Sequence, residues 1–307
     1  MLQQGTFDGR VAVVTGGGSG IGEAISRELA RLGAKIALVG RTRDKLDAVC
    51  ADINAAGGTA KAYQVDIRDR SRVEAVIDSV IVDFGRIDHL VNNAVGNFRV
   101  APEEMSPNAW NAVVDIVPDG TWHCTQTVGK HMIERGGGSI LNIGSTMSKQ
   151  GGPATVHSAS AKAGVRAMNK SLGTARGRYG IRVNVLIPGM TEGTTGAEVL
   201  HQTEEAFDQA VSGVPLGRLA TRKEIAQAAS YLLIALIETA HGVPDARTMA
   251  STPGVRRLVF GGHIGFCEQR VAEVKDQPRR PTTSRKSSHR SANSPAGGCR
   301  RGKSQRS

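Results

Sequence analysis

From Arg10 onward the chain alternates two periods of apolar residues. RVAVVT (10–15) and KIALVG (35–40) are short, continuous apolar runs and read as buried strands. Between them Ile21, Ala24, Ile25, Leu29 and Leu32 recur at helical spacing and stop at Gly33. The same alternation predicts further strands at 60–66, 87–94, 138–145 and 181–189, and helices at 44–58, 71–85, 107–134, 156–179 and 222–238. Strands that alternate with helices imply a parallel sheet covered on both faces with right-handed crossovers. The expected fold is therefore α/β, a doubly wound Rossmann-type parallel sheet in a single domain. In such folds ligands bind at the carboxyl ends of the strands. Pro118 falls inside the helix expected at 107–134, lacks an N–H, and should kink it.

The pattern weakens from about residue 235. Residues 239–257 have no clear period, and RLVFGG (257–262) is a candidate last strand. Residues 277–307 are rich in Ser, Pro, Gly and Arg and are expected to be disordered, because they have too little apolar surface to offset their ordering entropy. The expected organisation is thus one domain over 1–276, irregular after about 235, and a basic tail over 277–307.

Composition agrees. The chain has 307 residues, 39% of them hydrophobic and 4% aromatic, with 38 glycines. That mix suits buried parallel strands joined by tight turns. The net charge of +11 changes the picture less than its size suggests. Nine Lys or Arg and no Asp or Glu lie in 277–307, so all but two of the excess charges belong to that stretch. It has no aromatic residue for stacking on bases, and no nucleic-acid partner is expected. Cys50, Cys124, Cys267 and Cys299 form no C-x-x-C pair, and MLQQGTFDGR does not read as a secretory signal. These features suggest a reducing, cytoplasmic setting. No apolar run is long enough to cross a bilayer, and no metal site is expected.

The first candidate chemistry is VVTGGGSGIG, between the first strand and the first helix. Thr15, Gly16, Ser19, Gly20, Ile21 and Gly22 would let the backbone turn sharply and bring a helix N-terminus against a pyrophosphate. The second strand ends LVGRTR. An acidic residue there would hold ribose hydroxyls, but Arg41 stands ready for a 2′-phosphate instead. The expected cofactor is NADP(H).

The motif at 15–22, Asp66 after the third strand, NNA at 92–94 and PG at 188–189 resemble the short-chain dehydrogenase/reductase family over roughly residues 8–234. The resemblance implies a seven-stranded sheet. It implies that Asp66 and Ile67 line the adenine pocket, that Asn93 backs the cofactor and that Pro188 and Gly189 lie near the nicotinamide. It also implies a homotetramer, although the family's closing Asp-Gly-Gly is not matched, Phe260 standing where the Asp would be.

The family's usual Ser, Tyr and Lys fall on Ser145, Ser158 and Lys162, so the tyrosine is exchanged. Its supporting Asn falls on Val117. A serine hydroxyl is a poor proton donor but a good hydrogen-bond donor. Ser158 with Lys162 would therefore stabilise an enolate rather than protonate a ketone. NNAVGNF (92–98), MSPNAW (105–110), DIV (115–117), HSASAKAG (157–164) and RYGIRVNVLIPG (178–189) resemble the 2,4-dienoyl-CoA reductase branch of the family. That branch implies Lys162, Ser158, Ser145 and Asn97 as catalytic residues, Lys162 also binding the nicotinamide ribose, and an acyl-CoA thioester of fatty-acid metabolism as substrate. It places its second acid at the positions of Met147 or Val117, and neither residue here can donate a proton. His157 and Asp115 are the nearest titratable alternatives, for which a structural role is the stronger reading. Two other readings stand beside this one: a trans-2-enoyl-CoA or 3-oxoacyl reductase of the same family, and an NADPH-binding protein with impaired catalysis.

Overall fold

The computed structural model describes residues 2–194 and 203–234. The expected strand at 257–262, Phe260, Cys267, Cys299 and the basic stretch 277–307 lie outside them. Six parallel strands form one sheet in the order β3-β2-β1-β4-β5-β6: β1 (Val11–Thr15), β2 (Lys35–Gly40), β3 (Thr59–Gln64), β4 (His89–Asn92), β5 (Gly138–Ile143) and β6 (Ile181–Leu186). The chain runs outward from β1 to β3, then returns to pair β4 with the other edge of β1, Val14 meeting both Leu38 and Val91. That reversal makes the fold doubly wound, as the alternation predicts.

Helices cover both faces. On one side lie α1 (Gly20–Arg31), α2 (Arg43–Ala55) and the last described helix, α9 (Arg222–Ile234). They close a core around Ile25, Leu29, Leu38, Val91, Leu141 and Leu233. On the other lie α3 (Arg70–Phe84), α4 (Pro107–Val114), α5 (Gly120–Glu134) and α7 (Val156–Arg176), around Val13, Ile77, Leu90, Val128, Ile140 and Val165. The strands are buried on both faces, which is why they read as continuous apolar runs rather than alternating ones. Two shorter helices, α6 (Met147–Gln150) and α8 (Glu204–Ser212), lie in the connections. No helix among the described residues is long and apolar enough to cross a membrane.

The single long helix expected at 107–134 is two helices. Between α4 and α5, residues Asp115–Asp119 form one π-helical turn with Pro118 inside it. A proline has no N–H for the i−4 carbonyl, and its ring crowds that carbonyl. The wider π turn relieves the crowding and inserts an extra residue into the helix. The backbone of Val114 and Gly120 stays helical on either side, so the chain continues in one direction instead of breaking.

Candidate active site

The carboxyl ends of the strands open onto a cleft of about 420 Å³. At one end stands the turn between β1 and α1. Gly16 takes φ +66°, and a Cβ there would sit 2.9 Å from Asn93 Nδ2. A Cβ on Gly22 would fall 2.3 Å from the Gly16 carbonyl oxygen, so neither position accepts a side chain. Thr15 Oγ1 accepts the N–H groups of Asn93 and Ala94 at 3.0 and 3.1 Å. Asn93 Nδ2 returns bonds to the Thr15 and Gly16 carbonyls at 3.1 and 3.3 Å. Together they latch the turn onto the end of β4. Ser19 is the extended N-cap of α1 and makes no capping bond with its side chain. Its hydroxyl, the first-turn N–H groups and the positive end of the helix dipole are therefore offered to the cleft.

The adjoining wall is cationic. After Gly40 the cleft is lined by Arg41, Thr42 and Lys45, while Asp44 between them does not line it. Further round, Asp66 pairs with Arg68 at 2.6 Å and accepts its backbone N–H at 3.1 Å. The Arg68 side chain holds the Asp66 carboxyl below the usual carboxylate range against the opposing effect of burial.

At the other end, α7 carries Ser158 and Lys162 one turn apart, 4% and 7% exposed. Lys162 Nζ donates to the Ile143 carbonyl at 2.5 Å, and burial alone pulls its pKa down to about 8. Ser145, just past the end of β5, accepts the Met147 N–H at 3.3 Å. Asn97 Oδ1 accepts the Phe98 N–H at 3.0 Å, which leaves the Asn97 amide NH2 group to donate. Met147 is on the wall, its sulfur accepting the Thr155 hydroxyl at 3.3 Å.

Of the residues expected from sequence, Gly16, Ser19, Gly20, Ile21, Arg41, Asp66, Ile67, Asn93, Asn97, Ser145, Ser158, Lys162 and Pro188 line this one cleft. Thr15, Gly22 and Gly189 do not. Thr15 is 1% exposed, and it and Gly22 shape the turn from behind. Val117, aligned with the family's helix-borne polar residue, is wholly buried in the core, while its neighbour Ile116 reaches the cleft. Both residues belong to the π turn, where adjacent side chains leave the helix axis in different directions. His157 is buried against the Phe98 ring at 4.5 Å, off the cleft wall, with neither ring nitrogen hydrogen-bonded and with burial lowering its pKa. Asp115 does not line the cleft either. Sequence reasoning missed Thr42, Lys45, Ile116 and Thr194 on the wall. Lys45 was findable, because it lies four residues after Arg41 at the start of a predicted helix.

The glycine turn, the uncapped Ser19 and the Arg41–Lys45 wall fit a phosphorylated dinucleotide by their own chemistry. The chain is similar to several known proteins. A family model described as short chain dehydrogenase matches residues 10–205. A protein of Bacillus subtilis (strain 168) with the name "Probable 2,4-dienoyl-CoA reductase [(2E)-enoyl-CoA-producing]" is 40% identical over 226 residues, 73% of this chain and 89% of that one. "Probable 2,4-dienoyl-CoA reductase 3 [(3E)-enoyl-CoA-producing]" of Caenorhabditis elegans is 38% identical, covering 86% of each chain. Among solved structures, a gluconate 5-dehydrogenase from Burkholderia cenocepacia J2315 in complex with NADP and tartrate is 34% identical, with a TM-score of 0.70 over 74% of this chain and 88% of that one.

Proposed function

This chain belongs to the short-chain dehydrogenase/reductase family, and we propose that it is an NADPH-dependent reductase of 2,4-dienoyl-CoA thioesters. The observation that carries the proposal is the composition of the chemical end of the cleft. Lys162, Ser158, Ser145 and Asn97 converge there, and no tyrosine is among the described residues lining it. These groups donate hydrogen bonds but hold no phenol to protonate a carbonyl.

Thr15, Gly16, Ser19, Gly20, Ile21, Gly22, Asp66, Ile67, Asn93, Pro188 and Gly189 would hold the dinucleotide, with Arg41 and Lys45 on its 2′-phosphate and Lys162 on the nicotinamide ribose. Bound there, the reduced cofactor supplies a hydride. Lys162 and Ser158 donate to the thioester oxygen, where negative charge gathers as the diene is reduced. The amide NH2 group of Asn97 adds a third donor. A charge held this way favours reduction of a conjugated carbon–carbon bond over reduction of a ketone. Names of relatives at 38–40% identity point to the same substrate class, and the NADP in one similar structure points to the same cofactor.

The same proposal takes 1–276 as the enzymatic domain, 277–307 as a basic appendage, and a homotetramer working in the cytoplasm on unsaturated fatty acids. The test is a substrate panel followed by NADPH absorbance. Turnover of 2,4-dienoyl-CoA, abolished in Lys162→Ala, is the expected result. Turnover of 3-oxoacyl-CoA or trans-2-enoyl-CoA alone overturns the substrate assignment. NADPH binding with no turnover of any thioester establishes a cofactor-binding protein instead.

A further inference from the structure

The cofactor cleft lies at the carboxyl ends of the strands. A second concavity, of about 400 Å³, opens at their amino ends. Its wall sets four arginines, Arg10, Arg86, Arg135 and Arg182, against one carboxylate, Asp88. Asp88 is already engaged. It pairs with Arg10 at 3.0 Å and with Arg86 Nε at 2.8 Å, and accepts the Val11 N–H at 3.0 Å. Arg135 and Arg182 form no ion pair among the described residues.

The strand register places an unusual row of side chains beside these arginines. His89 on β4 lies opposite Ser139 on β5, and Ser139 lies opposite Arg182 on β6, so all three leave the same face of the sheet. His89 is 8% exposed and Ser139 wholly buried. Both ring nitrogens of His89, the Ser139 hydroxyl and Arg182 Nε are buried without a hydrogen-bond partner among the described residues. Among the described residues Arg182 spends one terminal nitrogen, on the Leu233 carbonyl. Phe7 packs edge-on against the His89 ring at 5.2 Å and fixes its plane. Buried polar groups without partners are rare because each carries its full desolvation cost. Here His89 and Arg182 line the same cationic concavity, with Ser139 between them in the row.

We propose that this concavity is a binding site for a small oxyanion, a phosphate or carboxylate group, held by the guanidinium groups of Arg182 and Arg135 with an N–H of His89. A planar guanidinium presents paired N–H donors that match two oxygens of such an anion. Burial pushes the His89 pKa down to about 4, so the ring is neutral near pH 7 and offers one N–H donor. The proposed oxidoreductase chemistry uses none of these residues, which sit at the opposite ends of the strands from Lys162.

The test uses the full chain saturated with NADPH, so that the dinucleotide cleft is filled, and inorganic phosphate as the probe. The His89 side-chain NMR signals, assigned with His89→Gln, should shift saturably as phosphate is added. Arg135→Glu, on the exposed rim, should weaken the apparent Kd about tenfold or more, the loss of a charge-assisted hydrogen bond. Arg182→Lys should weaken it similarly while keeping the charge, and Lys170→Glu on the exposed face of α7 should leave it unchanged. His89 signals that do not respond to phosphate, or equal weakening in Arg135→Glu and Lys170→Glu, would overturn the proposal.

Discussion

Lys162 meets two opposed demands. Its ammonium faces the chemical end of the cleft, yet its one bond among the described residues is to the Ile143 carbonyl, and burial brings the pKa from 10.5 to about 8. The unfolded lysine keeps its proton to about pH 10, whereas the folded one releases it near 8. Folding at pH 7 therefore buries a charge at a cost of about 3 kcal/mol. Stability should rise as pH climbs between those two values, because the unfolded chain then binds more protons. Lys162→Met is expected to abolish turnover while raising thermal stability at pH 7, the gain trimmed by about 1 kcal/mol for the lost hydrogen bond. Calorimetry of the two apoproteins checks this. In the wild type, the kcat of dienoyl-CoA reduction should fall as pH rises through about 8, where the charged donor is lost. At the other end of the cleft, Arg41→Asp should raise the NADPH KM about tenfold to a hundredfold and lower that for NADH, read by steady-state kinetics with both cofactors. Such residue identities were legible in the sequence wherever one motif fixes both type and position, as at Gly16, Ser158 and Lys162. At Thr15 and Gly22 the sequence shows membership of the turn but not that they stand behind it rather than on the cleft wall. That distinction depends on which way a side chain or a missing one faces across β4.

Among the elements, the π turn at Asp115–Asp119 decides which residue of the long helical segment reaches the cleft. The sequence shows Pro118 and so predicts a disturbance. It does not show whether the helix kinks, breaks or widens, because that depends on what α5 and α7 tolerate on either side. Within the widened turn Val117 faces the core and Ile116 lines the cleft. The alignment of Val117 with a catalytic position is thus a statement about spacing that the local geometry does not carry into space. Pro118→Ala restores an N–H and removes the crowding that favours the wide turn. The segment should then tighten toward regular i−4 bonding and draw Ile116 away from the wall. The expected outcome is a several-fold higher KM for the acyl thioester with little change in the KM for NADPH, measured with each substrate varied in turn.

For the whole molecule, the alternation of strand and helix was enough to read the doubly wound sheet, because strands buried on both faces cannot hide their apolar runs. The place of the reversal was less visible, since nothing local says that it falls after β3 rather than after β2. The proposal that residues 1–276 hold the enzyme makes a simple demand. A chain ending at Asp276 should keep its kcat/KM for NADPH and dienoyl-CoA within about twofold, because only two of the excess positive charges lie in that part and both ends of the cleft are built before residue 195. Loss of activity in that truncation, seen in the same assay, would assign the basic stretch a part in the domain. The placement of β1 between β2 and β4 also has a consequence in time. Val14 pairs with Leu38 and with Val91. At ribosomal speeds of about 5–20 residues per second, the second partner emerges roughly 4–15 s after the strand itself. For that interval one edge of VAVVT has no neighbour in the nascent chain. Among the strands that end with two neighbours, the most buried one therefore waits longest for its second, and a chaperone would have to shield it meanwhile.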